Sequence, residues 1–291
     1  MNRSAIKLLF FPALLVLNAC TYTFYQAECH FPVAGGLHRS SVLSDEMIET
    51  SGLDQYDSCF YSFNDSGGEP VVFGFCPENA AVNRIPLPEA QNRDWETMAL
   101  DNNYLYIGDV GNNFGSRDTL LIYRYNVGIL ESSAAASPPQ LISLSYNEPV
   151  TRNERGFISH DCEAMFVYGD SLYLFAKDWV TMDTRIYVLP AAPGHYDLSA
   201  KQTYHVRALI TGADIDPDRR EVVLVGYRNF MPVIIRYSFD TNPALIACGG
   251  KARIYPRYLG TQVEGVSFDY AGRVWVTSEK ALYKQSLYRV N

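Results

Sequence analysis

Five stretches of this chain share one pattern, and that repetition limits the fold more than any other feature. The stretches are Thr50-Ser51-Gly52-Leu53, Trp95-Glu96-Thr97-Met98-Ala99, Cys162-Glu163-Ala164-Met165-Phe166, Ala213-Asp214-Ile215-Asp216 and Val263-Glu264-Gly265-Val266-Ser267-Phe268. Each opens on a polar or acidic residue followed by small and apolar ones. A turn signal comes next, for example Asp101-Asn102-Asn103 or Tyr168-Gly169-Asp170, and then a β-rich run such as Tyr104-Leu105-Tyr106-Ile107 or Val222-Val223-Leu224-Val225. A third strand follows in most units, as in Val233-Ile234-Ile235-Arg236-Tyr237.

Repeats of about 40 to 50 residues with three or four strands each predict a β-propeller. One such sheet cannot bury both faces alone, whereas blades packed around an axis bury them against each other. The composition supplies the filling, since 47% of the 291 residues are apolar and 13% aromatic. No heptad pattern supports a helical bundle. The opening residues Ser51, Glu96, Glu163, Asp214 and Glu264 are spaced 45, 67, 51 and 50 positions apart. The two chain ends together make one more blade, with an N-terminal strand within Ser40 to Asp45 completing the C-terminal one. The expectation is an all-β, five-bladed propeller occupying residues 40–291, with six blades as the alternative. The long second interval is read as an exposed Ser/Ala/Pro-rich insertion, Gly128 to Gln140.

In a propeller the first strand of each blade lines the central channel. The five opening residues therefore converge, and four carboxylates at close range require a cation. An all-oxygen donor set fits calcium, and no His or Cys repeats at that position as zinc or copper would need. The second strands end at the same mouth. They bring Asp65, Asp109, Asn112, Asn113, Lys177, Asp178, Tyr227, Arg228 and Glu279 together with His160 and Asp161. A small-molecule or protein ligand is expected there. His160, Asp109, Lys177 and Arg228 are the catalytic candidates for a hydrolase that uses calcium as Lewis acid. Asp214-Ile215-Asp216-Pro217-Asp218 begins like an EF-hand loop, but the Gly is missing and Pro interrupts it, so Asp216 to Arg219 is read as a hairpin turn. The GxSxG, HExxH, P-loop and GxGxxG motifs are all missing.

The N-terminus carries Arg3 and Lys7, then an apolar run from Leu8 to Leu17, then Leu17-Asn18-Ala19-Cys20. This is the layout of a secretory signal over residues 1–19. Cys20 at the cut, with Leu three positions before it, resembles a bacterial lipoprotein signal. That resemblance implies diacylglycerol on Cys20, a tether over 20–39 and attachment to a bilayer. Thr21 after the cysteine implies the outer membrane. Cys59 and Cys76 flank a Gly-rich turn on neighbouring strands and are predicted to form a disulfide; Cys29 with Cys248 is a weaker pairing. With Cys162 the remaining count is odd, which leaves one thiol over. The formal net charge of −8 argues against a nucleic-acid partner.

The order Ser, Glu, Glu, acid, Glu on the innermost strands is similar to the metal centre of calcium-activated nucleotidases, which are five-bladed propellers. Asp94-Trp95-Glu96, Gly108-Asp109-Val110-Gly111-Asn112-Asn113, His160-Asp161-Cys162-Glu163-Ala164 and Thr211-Gly212-Ala213-Asp214 resemble an exported bacterial propeller family labelled esterase-like or phytase-like. Cys162 departs from the small residue of that pattern. Two functions stay open: a calcium-binding scaffold or binding module of the cell envelope, and a calcium-dependent hydrolase of phosphate or carboxylic esters. The fold hosts both.

Overall fold

A computed structural model describes residues 32–34, 36–77, 79–131, 137–246 and 250–291. Cys20, Cys29 and Cys248 lie outside these residues, as do the signal and most of the tether. Five sheets carry the chain. Blade 1 is β2 (Thr50–Tyr56), β3 (Cys59–Asn64), β4 (Val71–Cys76) and β5 (Asn79–Pro86). Blade 2 is β6 (Trp95–Leu100), β7 (Tyr104–Asp109), β8 (Leu120–Asn126) and β9 (Gln140–Tyr146). Blade 3 is β10 (Asp161–Tyr168), β11 (Ser171–Lys177), β12 (Thr184–Pro190) and β14 (Gln202–Tyr204). Blade 4 is β15 (Leu209–Asp216), β16 (Glu221–Arg228), β17 (Met231–Ser238) and β18 (Lys251–Ile254). Blade 5 is β19 (Val263–Phe268), β20 (Val274–Ser278), β21 (Ser286–Val290) and, from the other end of the chain, β1 (Leu37–Val42).

The inner strands β2, β6, β10, β15 and β19 touch in that order and the last returns to the first, so the structure is a closed five-bladed propeller. β1 pairs antiparallel with β21, from Leu37 opposite Val290 to Val42 opposite Ser286. The closing strand thus starts three residues earlier than the sequence indicated and stops at Val42. Closure matters because an unpaired β21 would present a free edge.

Five apolar clusters fill the five junctions between blades, as the alternation of inward faces requires. Phe63 and Val72 of blade 1 meet Trp95 and Met98 of blade 2, and Trp95 stands edge-on to Phe63 at 5.3 Å between ring centres. Leu53 and Phe60 meet Trp275 and Leu287 where blade 5 joins blade 1. Cys162 is a buried free thiol in the cluster between blades 2 and 3. The predicted disulfide Cys59–Cys76 is present, joining β3 to β4.

The long second interval differs from expectation. Its first residues form a 3-10 turn, Val127–Leu130, in which Val127, Ile129 and Leu130 are buried; Glu131, Ser137 and Pro138 are exposed as expected, residues 132–136 lie outside the described residues, and Gln140 opens β9. β13 (Gly194–Leu198), sent out from blade 3, pairs in parallel with β9 as a fifth strand of blade 2. Apolar residues at 127, 129 and 130 close the bottom of the junction between blades 1 and 2, which a composition-based reading of the Ser/Ala/Pro stretch does not reveal.

Candidate metal centre

Each inner strand carries a β-bulge near its start. The register skips between Trp95 and Thr97, Cys162 and Ala164, Ile210 and Gly212, and Val263 and Gly265. In blade 1 it skips between Ser51 and Asp54. A bulge turns its extra residue out of the ladder, and here the extra residues are Glu96, Glu163, Thr211 and Glu264. The structure therefore corrects one member of the predicted ring: Thr211 holds the fourth-blade position, and Asp214 lies three residues further down β15. Thr211 Oγ1 donates to Val263 O at 2.6 Å, tying blade 4 to blade 5. Ser51 Oγ donates to Glu96 O at 2.9 Å, tying blade 1 to blade 2.

Glycines after the bulges let neighbouring inner strands approach. A Cβ on Gly212 would stand 2.7 Å from Glu264 O, and one on Gly265 would stand 2.7 Å from Leu53 Cβ.

Asp214 belongs to the far end of the channel. Its carboxylate accepts from Ile215 N and Phe268 N, both at 2.7 Å. Asp54 does the same job between blades 1 and 2, accepting from Gln55 N and Leu100 N at 2.7 Å. The two acids line a cavity of about 440 Å³ with Asp216, Asp269 and Tyr270. Burial is the main force that pushes Asp214 up to about 7. Asp216 accepts from Arg219 N at 2.9 Å and pairs with its guanidinium, so this segment is the hairpin turn.

At the mouth, Glu96, Glu163 and Glu264 are only 6%, 5% and 8% exposed. Lys177, 2% exposed, sits among them. It bonds Glu163, lies 3.6 Å from Asp161 Oδ2, and has the Trp179 ring 4.4 Å away. Burial opposes its charge, but Glu163, Tyr227, Asp161 and Glu264 outweigh that and hold it protonated. Lys177 is thus a cation that the chain itself places on the ring, engaging Glu163 as an ion would.

Beside it, three carboxylates gather with no such ion pair among the described residues. Oxygens of Asp65, Asp94 and Glu96 all lie within 4.8 Å of one another. The Glu96 carboxylate has no hydrogen bond or ion pair among the described residues. Burial first, then Glu163, Asp65 and Asp161, push it well above the usual carboxylate range. Burial likewise raises Asp65 and Asp94 to about 6 each. Glu279, raised by burial and then by Asp65 and Glu49, reaches about 7. Asp94 was missed in the sequence as a ligand although it opens the Asp94-Trp95-Glu96 motif. Gly111 is its signal: a Cβ there would lie 2.4 Å from Asp94 Oδ2 and 2.8 Å from Glu96 Cγ.

The loop that holds this cluster is built from the other predicted mouth residues. Asp109 Oδ1 accepts from Asp94 N at 3.1 Å and pairs with Arg117 at 2.8 Å. Asn112 N donates to Asp161 Oδ1 at 2.9 Å, and its side chain bonds the Arg117 backbone. Asn113 O accepts from Ile158 N at 3.0 Å. Asp178 pairs with Arg185 at 3.0 Å. Arg228 is half-buried at the end of β16. His160 is 1% exposed, stacked on Tyr146 at 5.5 Å, with Ser159 Oγ 2.9 Å from Nδ1. Burial and then Arg185 lower its pKa to about 4. It packs between blades instead of facing the channel.

No protein-family model matches the chain, and no curated protein matches it in sequence. Among solved structures it is similar in overall shape to the calcium-binding protein regucalcin from Agrobacterium tumefaciens. That similarity has 13% identity, a TM-score of 0.46, and covers 90% of this chain and 94% of that one. A gluconolactonase from Xanthomonas campestris gives 12% identity and a TM-score of 0.45 over 90% and 89%. A putative glucose dehydrogenase from Thermus thermophilus gives 8% and 0.46 over 87% and 99%. At these identities the chemistry of the mouth rests on this chain's own residues.

Proposed function

We propose that this protein is a calcium-binding propeller that acts as a binding or scaffold module of the bacterial cell envelope, held to the outer membrane by acyl chains on Cys20. The observation that carries the reading is Glu96: a nearly buried carboxylate with no hydrogen bond or ion pair among the described residues, aimed at Asp65 and Asp94. Three converging carboxylates in a confined space favour a hard divalent cation with water completing its shell. Gly111 supports the fit, because its missing Cβ is the space in which Asp94 and Glu96 stand together. Bound there, the ion would neutralise the mouth and fasten blade 1 to blade 2.

The hydrolase reading has weaker support. Of its candidates, His160 is enclosed, Lys177 is committed to Glu163, and Asp109 is committed to Arg117. The test is a calcium titration of chelator-stripped protein, following heat and melting temperature, beside Glu96→Gln. The same samples are assayed against nucleoside diphosphates and simple phosphate and carboxylic esters. Binding that raises the melting temperature without turnover supports the module. Calcium-dependent turnover lost in Glu96→Gln would replace it with the hydrolase.

A further inference from the structure

Opposite the mouth, the channel ends in a cup of about 440 Å³. That volume lies within the range of small-molecule sites, about 300 to 1,000 Å³. All five inner strands contribute their far ends or the turns that follow them, from Asp54 in blade 1 to Tyr270 in blade 5. Bonds that cross from blade to blade fix the walls. Asp54 Oδ2 accepts from Leu100 N, which joins blade 1 to blade 2. Asp214 Oδ2 accepts from Phe268 N, and Arg219 donates to Ala271 O at 2.9 Å; both join blade 4 to blade 5. Gln55 Oε1 accepts from Tyr270 N at 3.0 Å, which joins blade 5 to blade 1. The cup is thus formed before a ligand arrives, and binding spends little on ordering its walls.

The lining is of two kinds. Leu100, Val167, Ile215 and Phe268 form an apolar part, and Val167 is all that blade 3 offers. Against it stand Asp54, Asp101, Asp214, Asp216, Asp218 and Asp269, with Arg219 as the one cation. Arg219 is paired with Asp216, and Asp269 with Arg273. Asp54 and Asp214 have no ion pair among the described residues. After burial, the influence that raises Asp54 most is the like charge of Asp214. Two enclosed carboxylates therefore share a cavity with an apolar wall and no counter-ion.

A metal ion is a poor match for this pair. Both oxygens of Asp54 and both of Asp214 already accept backbone N–H groups, so neither carboxylate is free to swing in as a ligand. Among the described residues, three acidic side chains bring ligand oxygens within 4.8 Å of one another at Asp65, Asp94 and Glu96, and not in the cup. An anion is repelled there, and a neutral molecule leaves the charges uncompensated. An ammonium group suits them. A carboxylate has about four acceptor positions, so each keeps room for a further donor, and an ammonium carries three. Methylenes behind the ammonium would cover the apolar part. Tyr56 and Tyr270 line the same space, and aromatic rings attract ammonium groups. We propose that the far end of the channel binds an aliphatic amine, its ammonium between Asp54 and Asp214 and its methylene chain against Leu100, Val167 and Ile215. This site is separate from the mouth and does not rest on calcium.

The test is a calorimetric titration of the protein with pentylamine, and with pentanol as the uncharged counterpart, in chelator and in calcium. Saturable binding of pentylamine is expected, and none of pentanol. Asp54→Asn with Asp214→Asn should weaken pentylamine binding by about tenfold or more, because the charges that the ammonium meets are gone. Val167→Phe narrows the cup without touching an acid and should weaken it as well, so the proposal stays open to test if the asparagine variant folds poorly. The near-UV spectrum shows which variants keep packed blades. Glu96→Gln and saturating calcium should each leave pentylamine affinity within about twofold, as distant sites do. No saturable binding, equal binding of pentanol, or wild-type affinity in folded variants of the cup would overturn the proposal. Displacement of the amine by calcium, or its loss in Glu96→Gln, would move it to the mouth and overturn the proposal as well.

Discussion

Gly111 stands so close to Asp94 that a Cβ on it would lie 2.4 Å from Asp94 Oδ2. The loop that carries Gly111 is fixed by Arg117, which donates to Gly111 O at 3.0 Å and to Asp109 O at 2.9 Å. The glycine cannot retreat without breaking that network. Gly111→Ala should therefore push Asp94 and Glu96 apart, at an overpacking cost of about 1–3 kcal/mol. Calcium affinity should fall by about tenfold or more on that scale. Calorimetry reads the affinity, and the near-UV spectrum shows that the blades remain packed. An unchanged affinity would remove Asp94 from the site.

Lys177 competes with any added cation for the same carboxylates. Lys177→Gln removes a unit charge from a buried site, which corresponds to a gain of about tenfold in calcium affinity. In chelator the variant should melt lower, because Glu163 and Asp161 lose their counter-ion, and calcium should restore more stability than it gives the wild type. Equal affinity in both proteins would show that Lys177 does not share the ion's environment.

Asp214→Asn should leave calcium affinity within about twofold, the range of additive, distant sites. Its carboxylate is occupied at the far end of the channel by Ile215 N and Phe268 N. Glu264→Gln, at the mouth, should weaken binding. The reverse order, measured by titration, would restore the ring read from the sequence.

Stability without calcium should depend on pH in a defined sense. Asp65 and Asp94 rise to about 6 in the fold, and Asp214 and Glu279 to about 7. Between the unfolded value near 4 and those values, the folded protein keeps protons that the unfolded chain has released. Their contribution is thus complete below about 4 and lost as pH rises through 6 to 7. His160, lowered to about 4, works in the opposite sense, adding stability as pH rises from 4 to its unfolded value near 6.5. Four acids against one histidine predict a falling melting temperature from pH 5 to 7.5 in chelator, and a steeper fall in His160→Gln. Calcium should reverse the trend near neutrality, since the ion binds ionised carboxylates. A chelated protein that melts higher at pH 7.5 than at pH 5 would contradict these assignments.

The Cys59–Cys76 bridge closes a short loop, with a sequence separation of 17. A loop of that length corresponds to about 3 kcal/mol of stabilisation. The Cys59→Ser, Cys76→Ser double variant should lose about that amount in urea unfolding. Cys162, whose thiol burial raises to about 12, should resist alkylation until the protein unfolds. Rapid native labelling mapped to the Cys162 peptide would contradict its enclosure.

Blade number was legible because strand spacing repeats whatever the side chains do. Which residue faces the axis was less so. In blade 4 the acidic Asp214 drew attention, but the axis position is set by the bulge, which depends on pairing across β15 and β16. One local signal does mark it: Thr211-Gly212 and Glu264-Gly265 each place glycine directly after the bulged residue, where adjacent inner strands nearly touch. Lys177 and Asp65 were legible as mouth residues because second strands end there. Asp94 was not, because its position comes from a loop folded back on Gly111 and Arg117, and loop geometry leaves no periodic trace. His160 misled in the other direction. Its neighbours Asp161 and Glu163 turn toward the channel, while its own ring turns into the stack with Tyr146.

The most direct test of the account is a crystal structure of the protein grown with calcium, with anomalous scattering used to place the ion. The account predicts one ion at the mouth, bonded to Asp65, Asp94 and Glu96, with Lys177 still on Glu163. An ion between Asp54 and Asp214, or no ordered ion at a saturating concentration, would contradict it.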